Sequence, residues 1–236
     1  MVPTSSQAFW RQPWCPQTEA VLTRALHALG LDLAELSSQN FDLATGTVGG
    51  LPLSECAFWA SAGPTWSCLH LPGGTNRSEE LGRNLAELTG EPTLLLTEYQ
   101  QLAWGFVLIH RKDPIQRFLS LSTMWEDTPT PGTVDPLLMS RLLDIPVSRF
   151  APYLKVQSAD EVSQQRAHPE DRYILSNPWV RVDFLRSLGI SYPAPTSATD
   201  GRFCRLIGFN PTKSAAPTIP PEIRIDPENP SPWISN

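Results

Sequence analysis

The stretch from Thr93 to Ser122, TLLLTEYQQLAWGFVLIHRKDPIQRFLSLS, constrains the fold more than any other part of the chain. It contains three apolar runs, Thr93 to Tyr99, Ala103 to His110 and Ile115 to Ser122, joined by polar connections of three and four residues. Such short connections require antiparallel neighbours, because a parallel crossover needs about a dozen residues or more. The sequence therefore predicts a three-stranded meander over 93–122 in an α+β protein with a mainly antiparallel sheet.

The middle run indicates where this meander lies in the protein. Alternate side chains of a strand point to opposite faces, and between Ala103 and His110 both sets are apolar. We therefore expect a central strand that is covered on both sides. Arg117 and Ser120 interrupt the third run, which favours a position at the edge of the sheet.

Several segments have the periodicity or the end signals of helices. The predicted helices are Gln17 to Leu29, Glu79 to Thr89, a segment that begins after Asp135, Val147 to Leu154, Asp160 to Arg166 and Trp179 to Leu188. Thr18 and Asp135 are the expected N-caps of the first and third. In the third helix, five apolar residues from Leu137 to Leu143 predict one strongly apolar side.

Proline is abundant at both ends of the chain. The protein has 24 prolines in 236 residues, about twice the usual ~5%. Residues 1–16 are expected to be irregular, and residues 193–236 contain nine prolines and one possible short strand, Phe203 to Phe209. We predict a single α+β domain over 1–192 and a Pro-rich arm over 193–236, docked on the body or extending from it.

The formal net charge is −6 and the isoelectric point is about 5.2. This balance argues against nucleic-acid binding, which needs clustered Lys and Arg, and is compatible with a basic protein partner. The amino terminus lacks the pattern of a secretory signal, and no apolar run approaches the ~20 residues needed to cross a bilayer. We expect a cytoplasmic protein with no membrane contact.

The sequence contains no motif for metal, cofactor or nucleophilic chemistry. Cys56, Cys68 and His70 could form part of a zinc site, but no fourth ligand is evident and the four cysteines include no CxxC pair. There is no GxSxG elbow, GxGxxG fingerprint or P-loop. We predict no metal, no cofactor and no catalytic residue.

Paired carboxylates are the basis of an alternative, enzymatic interpretation. The candidates that could converge in a cleft for general acid–base work are Glu98, Glu126, Asp127, Glu170, Asp171 and Asp183. Glu98 lies near a hairpin turn, so a solvated position is expected. Asp183 is expected on the polar face of its helix or paired with Arg181 or Arg186.

Aromatic and acidic residues are the candidates for contact with a partner, since aromatic side chains contribute much of the energy at interfaces. The predicted binding residues are Trp125, Glu126, Asp127, Tyr153, Glu170 and Asp171. Core positions are expected for Trp104 and Trp179.

Three runs carry a resemblance that covers about residues 85–193. They are WGFVLIHRKDPIQRFLSL, DPLLMSRLLDIPVSRFAPYL and HPEDRYILSNPWVRVDFLRSLGISYP. In pattern they resemble uncharacterised bacterial α+β proteins of the immunity-like or regulatory-partner type. The resemblance implies a bacterial protein that binds another protein, and it carries over no catalytic residue.

These expectations combine into one leading hypothesis and two alternatives. The leading hypothesis is a non-catalytic protein-binding protein of the bacterial cytoplasm, either an immunity-like inhibitor of a toxin or an accessory subunit. The alternatives are an enzyme of unrecognised family that uses the carboxylates, and a structural component of a larger assembly that docks through its C-terminal arm.

Overall fold

The computed structural model describes residues 5–13, 15–36, 41–42, 47–48, 51–52, 56–72, 77–99, 103–111, 113–121, 134–157, 164–192 and 201–207. The strands are β1 Ser5–Trp10, β2 Asp32–Glu35, β3 Phe41–Asp42, β4 Thr47–Val48, β5 Leu51–Pro52, β6 Cys56–Ser61, β7 Ser67–Pro72, β8 Thr93–Tyr99, β9 Ala103–Ile109, β10 Gln116–Leu119 and β11 Gly201–Ile207. The helices are α1 Pro16–His27, α2 Ser78–Thr89, α3 Pro136–Leu143, α4 Val147–Phe150, a 3-10 helix Ala151–Leu154 and α5 Val180–Ser187.

The main sheet has eight strands in the order β10-β9-β8-β1-β7-β6-β11-β2. Every neighbouring pair is antiparallel. The predicted α+β class and the meander are confirmed as β8, β9 and β10, with β10 at the edge of the sheet. At the β9–β10 pair, a Cβ built on Gly105 would lie 2.6 Å from the carbonyl oxygen of Phe118, so this close approach requires glycine.

Helices α1 and α2 cover one face of the main sheet. Leu22 and Leu26 of α1 and Leu81 and Leu85 of α2 lie with Trp10 in one buried apolar cluster. These positions follow the three- and four-residue spacing of an amphipathic helix, which places their side chains on the face toward the sheet.

The later helices cover the opposite face. Met139 and Leu143 of α3, Phe150 of α4 and Phe184 of α5 belong to a second buried cluster with Trp104 of β9. The ring centroids of Trp104 and Phe184 are 5.0 Å apart. Strand β9 is therefore covered on both sides, as its two apolar faces predicted.

A smaller sheet, in the order β3-β4-β5, packs on the main sheet at β6 and β11. Val48 of β4 shares a third buried cluster with Phe58 of β6 and Phe203 of β11. The Phe58 and Phe203 ring centroids are 4.8 Å apart. One face of β6 and β11 thus packs on the small sheet, whereas the opposite face of β6 packs with α1 and α2.

The amino-terminal residues differ from the expectation of irregular structure over 1–16. Residues 5–10 form β1, which lies inside the main sheet between β7 and β8. The strand is only six residues long, and its buried side chains include polar ones, so it has no clear apolar–polar alternation. Its position depends on long-range pairing, which a local pattern does not reveal.

Two other boundaries also differ in detail. Cys15, and not Thr18, is the N-cap of α1, with Pro16 at the first helical position, a position that proline favours. The Thr18 hydroxyl donates to the Pro13 carbonyl oxygen at 2.6 Å. In the C-terminal part, the expected strand forms as β11, at residues 201–207, between β6 and β2; the predicted helix Asp160 to Arg166 lies largely outside the described residues.

Candidate functional site

An open groove of about 390 Å³ lies between the β9–β10 turn and the start of α3. Its lining residues come from these two elements and are Asp113, Pro114, Asp135, Leu137, Leu138 and Arg141. We refer to these six residues as the α3 groove. The groove lies next to the edge strand of the main sheet, because Pro114 is two residues before the start of β10.

Side-chain contacts hold the turn side of the α3 groove. Asp113 Oδ2 lies 2.8 Å from His110 Nδ1, and Asp113 Oδ1 accepts a hydrogen bond of 2.8 Å from Arg141 Nη2. His110 Nε2 lies 3.3 Å from the Gly90 carbonyl oxygen at the end of α2. One carboxylate therefore connects the turn to α3, and His110 connects the same turn to α2.

The helix side of the α3 groove is held by its N-cap. Asp135 Oδ1 accepts from the backbone N–H groups of Leu137 and Leu138, at 2.9 and 3.2 Å, which confirms the predicted cap. The Asp135 N–H donates to Gln116 Oε1 at 2.7 Å, and Gln116 Nε2 donates to the Pro114 carbonyl oxygen at 3.0 Å. Gln116, which is buried, thus joins both walls of the groove.

Leu137 lines the groove, and 75% of its surface is exposed. The sequence placed it on the apolar side of its helix, but the buried side of α3 is formed by Met139 and Leu143. Leu137 and Arg141 are four residues apart and so share the outward side of α3. The groove therefore combines an exposed leucine with an arginine that is already held by Asp113.

A buried ion pair lies at the centre of the main sheet, away from the α3 groove. Arg181 Nη2 of α5 is 3.0 Å from Glu98 Oε2 of β8, and both side chains are almost fully buried. Arg181 Nη1 donates to the Pro178 carbonyl oxygen, and its guanidinium carbon lies 3.7 Å from the centroid of the Trp179 ring. The expectation of a solvated Glu98 is wrong, because α5 covers the end of β8 with a cation.

His70 lies in the same buried region. Gln7 Nε2 donates to His70 Nδ1 at 3.2 Å, and Tyr192 makes side-chain hydrogen bonds to Gln7 and Arg181. Burial, and then the positive charge of Arg181, lowers the pKa of His70 to about 4. The imidazole is therefore neutral at physiological pH, and its ring nitrogen can accept the Gln7 hydrogen bond. We call Gln7, His70, Glu98, Arg181 and Tyr192 the central polar network.

Two of the predicted carboxylates converge, as the enzymatic alternative required. Asp171 Oδ1 and Asp183 Oδ1 lie 3.0 and 3.1 Å from Arg186 Nη2, which confirms the pairing of Asp183 with Arg186. Asp171 also accepts from the Tyr153 hydroxyl at 2.6 Å and from the His168 N–H at 2.8 Å.

This pair is enclosed by its own neighbours. Asp171 is 2% exposed and Asp183 is 3% exposed, and Asp183 Oδ2 accepts from the backbone N–H groups of Arg172 and Tyr173. Burial raises the pKa of Asp183 and, with the Asp171 hydrogen bond, that of the Tyr153 hydroxyl. These contacts connect the segment 164–176 to α5.

The predicted binding residues occupy different environments. Tyr153 and Asp171 are buried, and Glu170 is exposed. Trp125, Glu126 and Asp127 lie outside the described residues. The sequence interpretation did not find the α3 groove, because its residues form no motif. The one local signal was Leu137, the first of three consecutive apolar residues in a helix that buries only one side.

The cysteines form no disulfide. All four cysteines are free thiols, and a hydrogen bond with Thr18 lowers the pKa of Cys15. Within the described ranges, no group of three or more His, Cys, Asp and Glu side chains is arranged to hold a metal ion. Among the same residues, no helix has the length and apolar character needed to cross a membrane.

Comparisons of the chain with protein-family models, with curated proteins and with solved structures found no match.

Proposed function

We propose that this chain is a non-catalytic, protein-binding protein of the bacterial cytoplasm, and that it binds its partner through the α3 groove. The observation that carries the proposal is the exposure of Leu137, which lines the groove with 75% of its surface accessible to solvent. An exposed leucine in a concave surface contributes apolar area that a partner can bury.

The rigidity of the groove supports this assignment. Buried Gln116 bonds to both walls, since its Oε1 accepts from the Asp135 N–H and its Nε2 donates to the Pro114 carbonyl oxygen. A surface that is already ordered loses little conformational entropy on binding, which favours affinity. The groove also lies beside β10, which is the terminal strand on that side of the main sheet among the described residues.

The buried carboxylates that could act in catalysis are paired with arginines, which favours binding over catalysis. Glu98 is paired with Arg181, and Asp171 and Asp183 are paired with Arg186. Each of these carboxylates is buried and contributes to packing of α5 or of the segment before it. The α3 groove has carboxylates at its walls, but Asp113 and Asp135 are engaged in an ion pair and a helix cap.

Two partner roles fit a compact binding protein: an immunity-like inhibitor of a toxin, and an accessory subunit of a larger complex. The predicted contribution of Trp125, Glu126 and Asp127 stays a prediction, and so does that of Tyr153, Glu170 and Asp171. Trp125, Glu126 and Asp127 precede Asp135 in the sequence, between β10 and α3.

The test is capture of the tagged protein from its native cell with two matched variants. Leu137→Glu places a charge at the groove, and Ile207→Glu makes the same change at a side chain that is 53% exposed on β11, far across the sheet. We expect a stoichiometric protein partner with the wild type and with Ile207→Glu, and its loss with Leu137→Glu. Equal capture by both variants, or capture by none of the three proteins, would contradict the proposal.

A further inference from the structure

The charges of the α3 groove have an uneven balance. Among the residues that the structure describes, its lining holds two carboxylates, Asp113 and Asp135, and one guanidinium, Arg141. Arg141 is paired with Asp113, and no ion pair of Asp135 is found among the residues that the structure describes. Asp135 is exposed, so the groove presents an accessible carboxylate close to an exposed leucine.

The helix dipole reduces this negative charge without cancelling it. Asp135 caps α3, whose amino-terminal end carries roughly half of an elementary positive charge. The net charge of the whole chain is −6, which adds a negative field of longer range around the groove. A cationic group that approaches Asp135 is therefore attracted both locally and by the protein as a whole.

We infer that the α3 groove recognises a basic segment of a partner protein, in which an apolar side chain packs on Leu137 and a neighbouring Lys or Arg pairs with Asp135. This inference rests on the proposed function and adds the chemistry of the partner. Leu137 and Asp135 are two residues apart at the start of α3, so one short segment can reach both.

The same charges disfavour the other common classes of partner. An acidic segment would have to approach Asp135 and Asp113 together, with Arg141 already engaged by Asp113. A nucleic acid would bring a high density of negative charge to a chain with net charge −6, and its binding depends on clustered Lys and Arg.

The inference is tested with three synthetic peptides that share one leucine pattern and carry Lys, Gln or Glu at the remaining positions. Binding to the full-length protein is followed by the backbone amide signals of residues 113–116 and 134–141 in NMR titrations at low salt. We expect the Lys peptide to bind saturably at these residues and more tightly than the Gln peptide. The difference should fall as salt rises, because exposed charges are screened.

Two aspartate variants identify the charge that is responsible. Asp135→Asn removes the charge but keeps an acceptor for the cap, and Asp144→Asn removes an exposed charge at the other end of α3. Asn also tolerates the left-handed conformation of Asp144. Asp135→Asn should weaken the Lys peptide about two- to fivefold, the range of an exposed ion pair, and Asp144→Asn should leave its affinity unchanged.

The possible outcomes separate this inference from the proposed function. If the Gln peptide binds the groove as tightly as the Lys peptide, or if the two variants behave alike, the basic partner is wrong while the groove remains a binding surface. Tighter binding of the Glu peptide, or of a single-stranded oligonucleotide, would also overturn the inference. Failure of the Lys peptide to bind at the groove overturns it too, and the Leu137→Glu capture experiment then decides the proposed function independently.

Discussion

Two arginine–carboxylate pairs of similar length have opposite surroundings in this protein. Arg181 and Glu98 are 3.0 Å apart, with 2% and 4% of their side chains exposed. Arg141 and Asp113 are 2.8 Å apart, with 70% and 20% exposed. The buried pair lies in the central polar network under α5, whereas the exposed pair forms a wall of the α3 groove.

The difference shows that the same chemical pair serves two purposes. In the buried pair, each charge is stabilised by the other. If one partner is removed, the remaining charge has neither a counter-charge nor water around it. In the exposed pair, water can replace either partner, so the contribution to stability is small. The first pair positions α5 on the sheet, and the second connects the β9–β10 turn to α3 at the surface.

The largest expected effect comes from breaking the buried pair. Arg181→Met leaves Glu98 without its cation in the protein interior, and we expect a loss of about 3–5 kcal/mol in the free energy of unfolding. Equilibrium denaturation in urea at neutral pH measures this loss. The double variant Glu98→Gln with Arg181→Met should recover a substantial part of it, since no uncompensated charge remains. A loss below about 1 kcal/mol in Arg181→Met would show that the pair is not a determinant of stability.

His70 provides the next largest effect, as a dependence on pH. Its pKa is lowered from 6.5 to about 4 in the folded protein, so between these values the unfolded chain takes up a proton that the folded chain does not. The contribution of neutral His70 to the free energy of unfolding is complete above pH 6.5. It is lost as the pH falls toward 4, and the loss is about 3 kcal/mol for a shift of this size.

The matched variant is His70→Gln, which keeps a polar partner for Gln7 and has no proton to bind in this range. Between pH 7 and pH 4, the free energy of unfolding of the wild type should fall by about 3 kcal/mol more than that of the variant. Parallel curves for the two proteins would show that His70 is protonated as readily in the folded state as in the unfolded chain.

At the α3 groove, the helix cap should have an intermediate effect. Asp135→Ala removes the acceptor for Leu137 and Leu138 and should cost about 1 kcal/mol. Asp135→Asn keeps an acceptor and should cost much less. Thermal and urea unfolding of the two variants checks this order, and an equal loss in both would mean that the charge, and not the cap, stabilises the start of α3.

The exposed pair should have the smallest effect. Arg141→Ala is expected to change the unfolding free energy by less than about 1 kcal/mol, and by less still at high salt. The same denaturation experiment as for Arg181→Met gives a direct comparison. A loss in Arg141→Ala as large as that in Arg181→Met would remove the distinction between the two pairs.

The fold class and the meander could be predicted because their signals are local. The runs that form β8, β9 and β10 are joined by very short connections, so pairing and direction follow from the sequence alone. Asp135 followed by Pro136 gives the start of α3 in the same way. The partners of β1 are β7 and β8, which are distant in sequence. The six residues of β1 alone do not indicate which strands it pairs with.

The sites were harder to predict than the fold. The Glu98–Arg181 pair joins residues that are 83 positions apart, and no spacing rule connects a strand residue with a helix so far along the chain. Pairing of Asp183 with Arg186 was predictable because the two are one helical turn apart. The α3 groove depends on how the β9–β10 turn meets α3, which is a property of the tertiary structure.

The central claim, that the α3 groove contacts a partner protein, is tested most directly by photo-crosslinking in the native cell. A photoreactive phenylalanine analogue replaces Leu137 in one variant and Ile207 in another, and covalent adducts are identified by mass spectrometry. We predict one abundant protein adduct at position 137 that is absent at position 207. No adduct at position 137, or the same set of adducts at both positions, would contradict the claim.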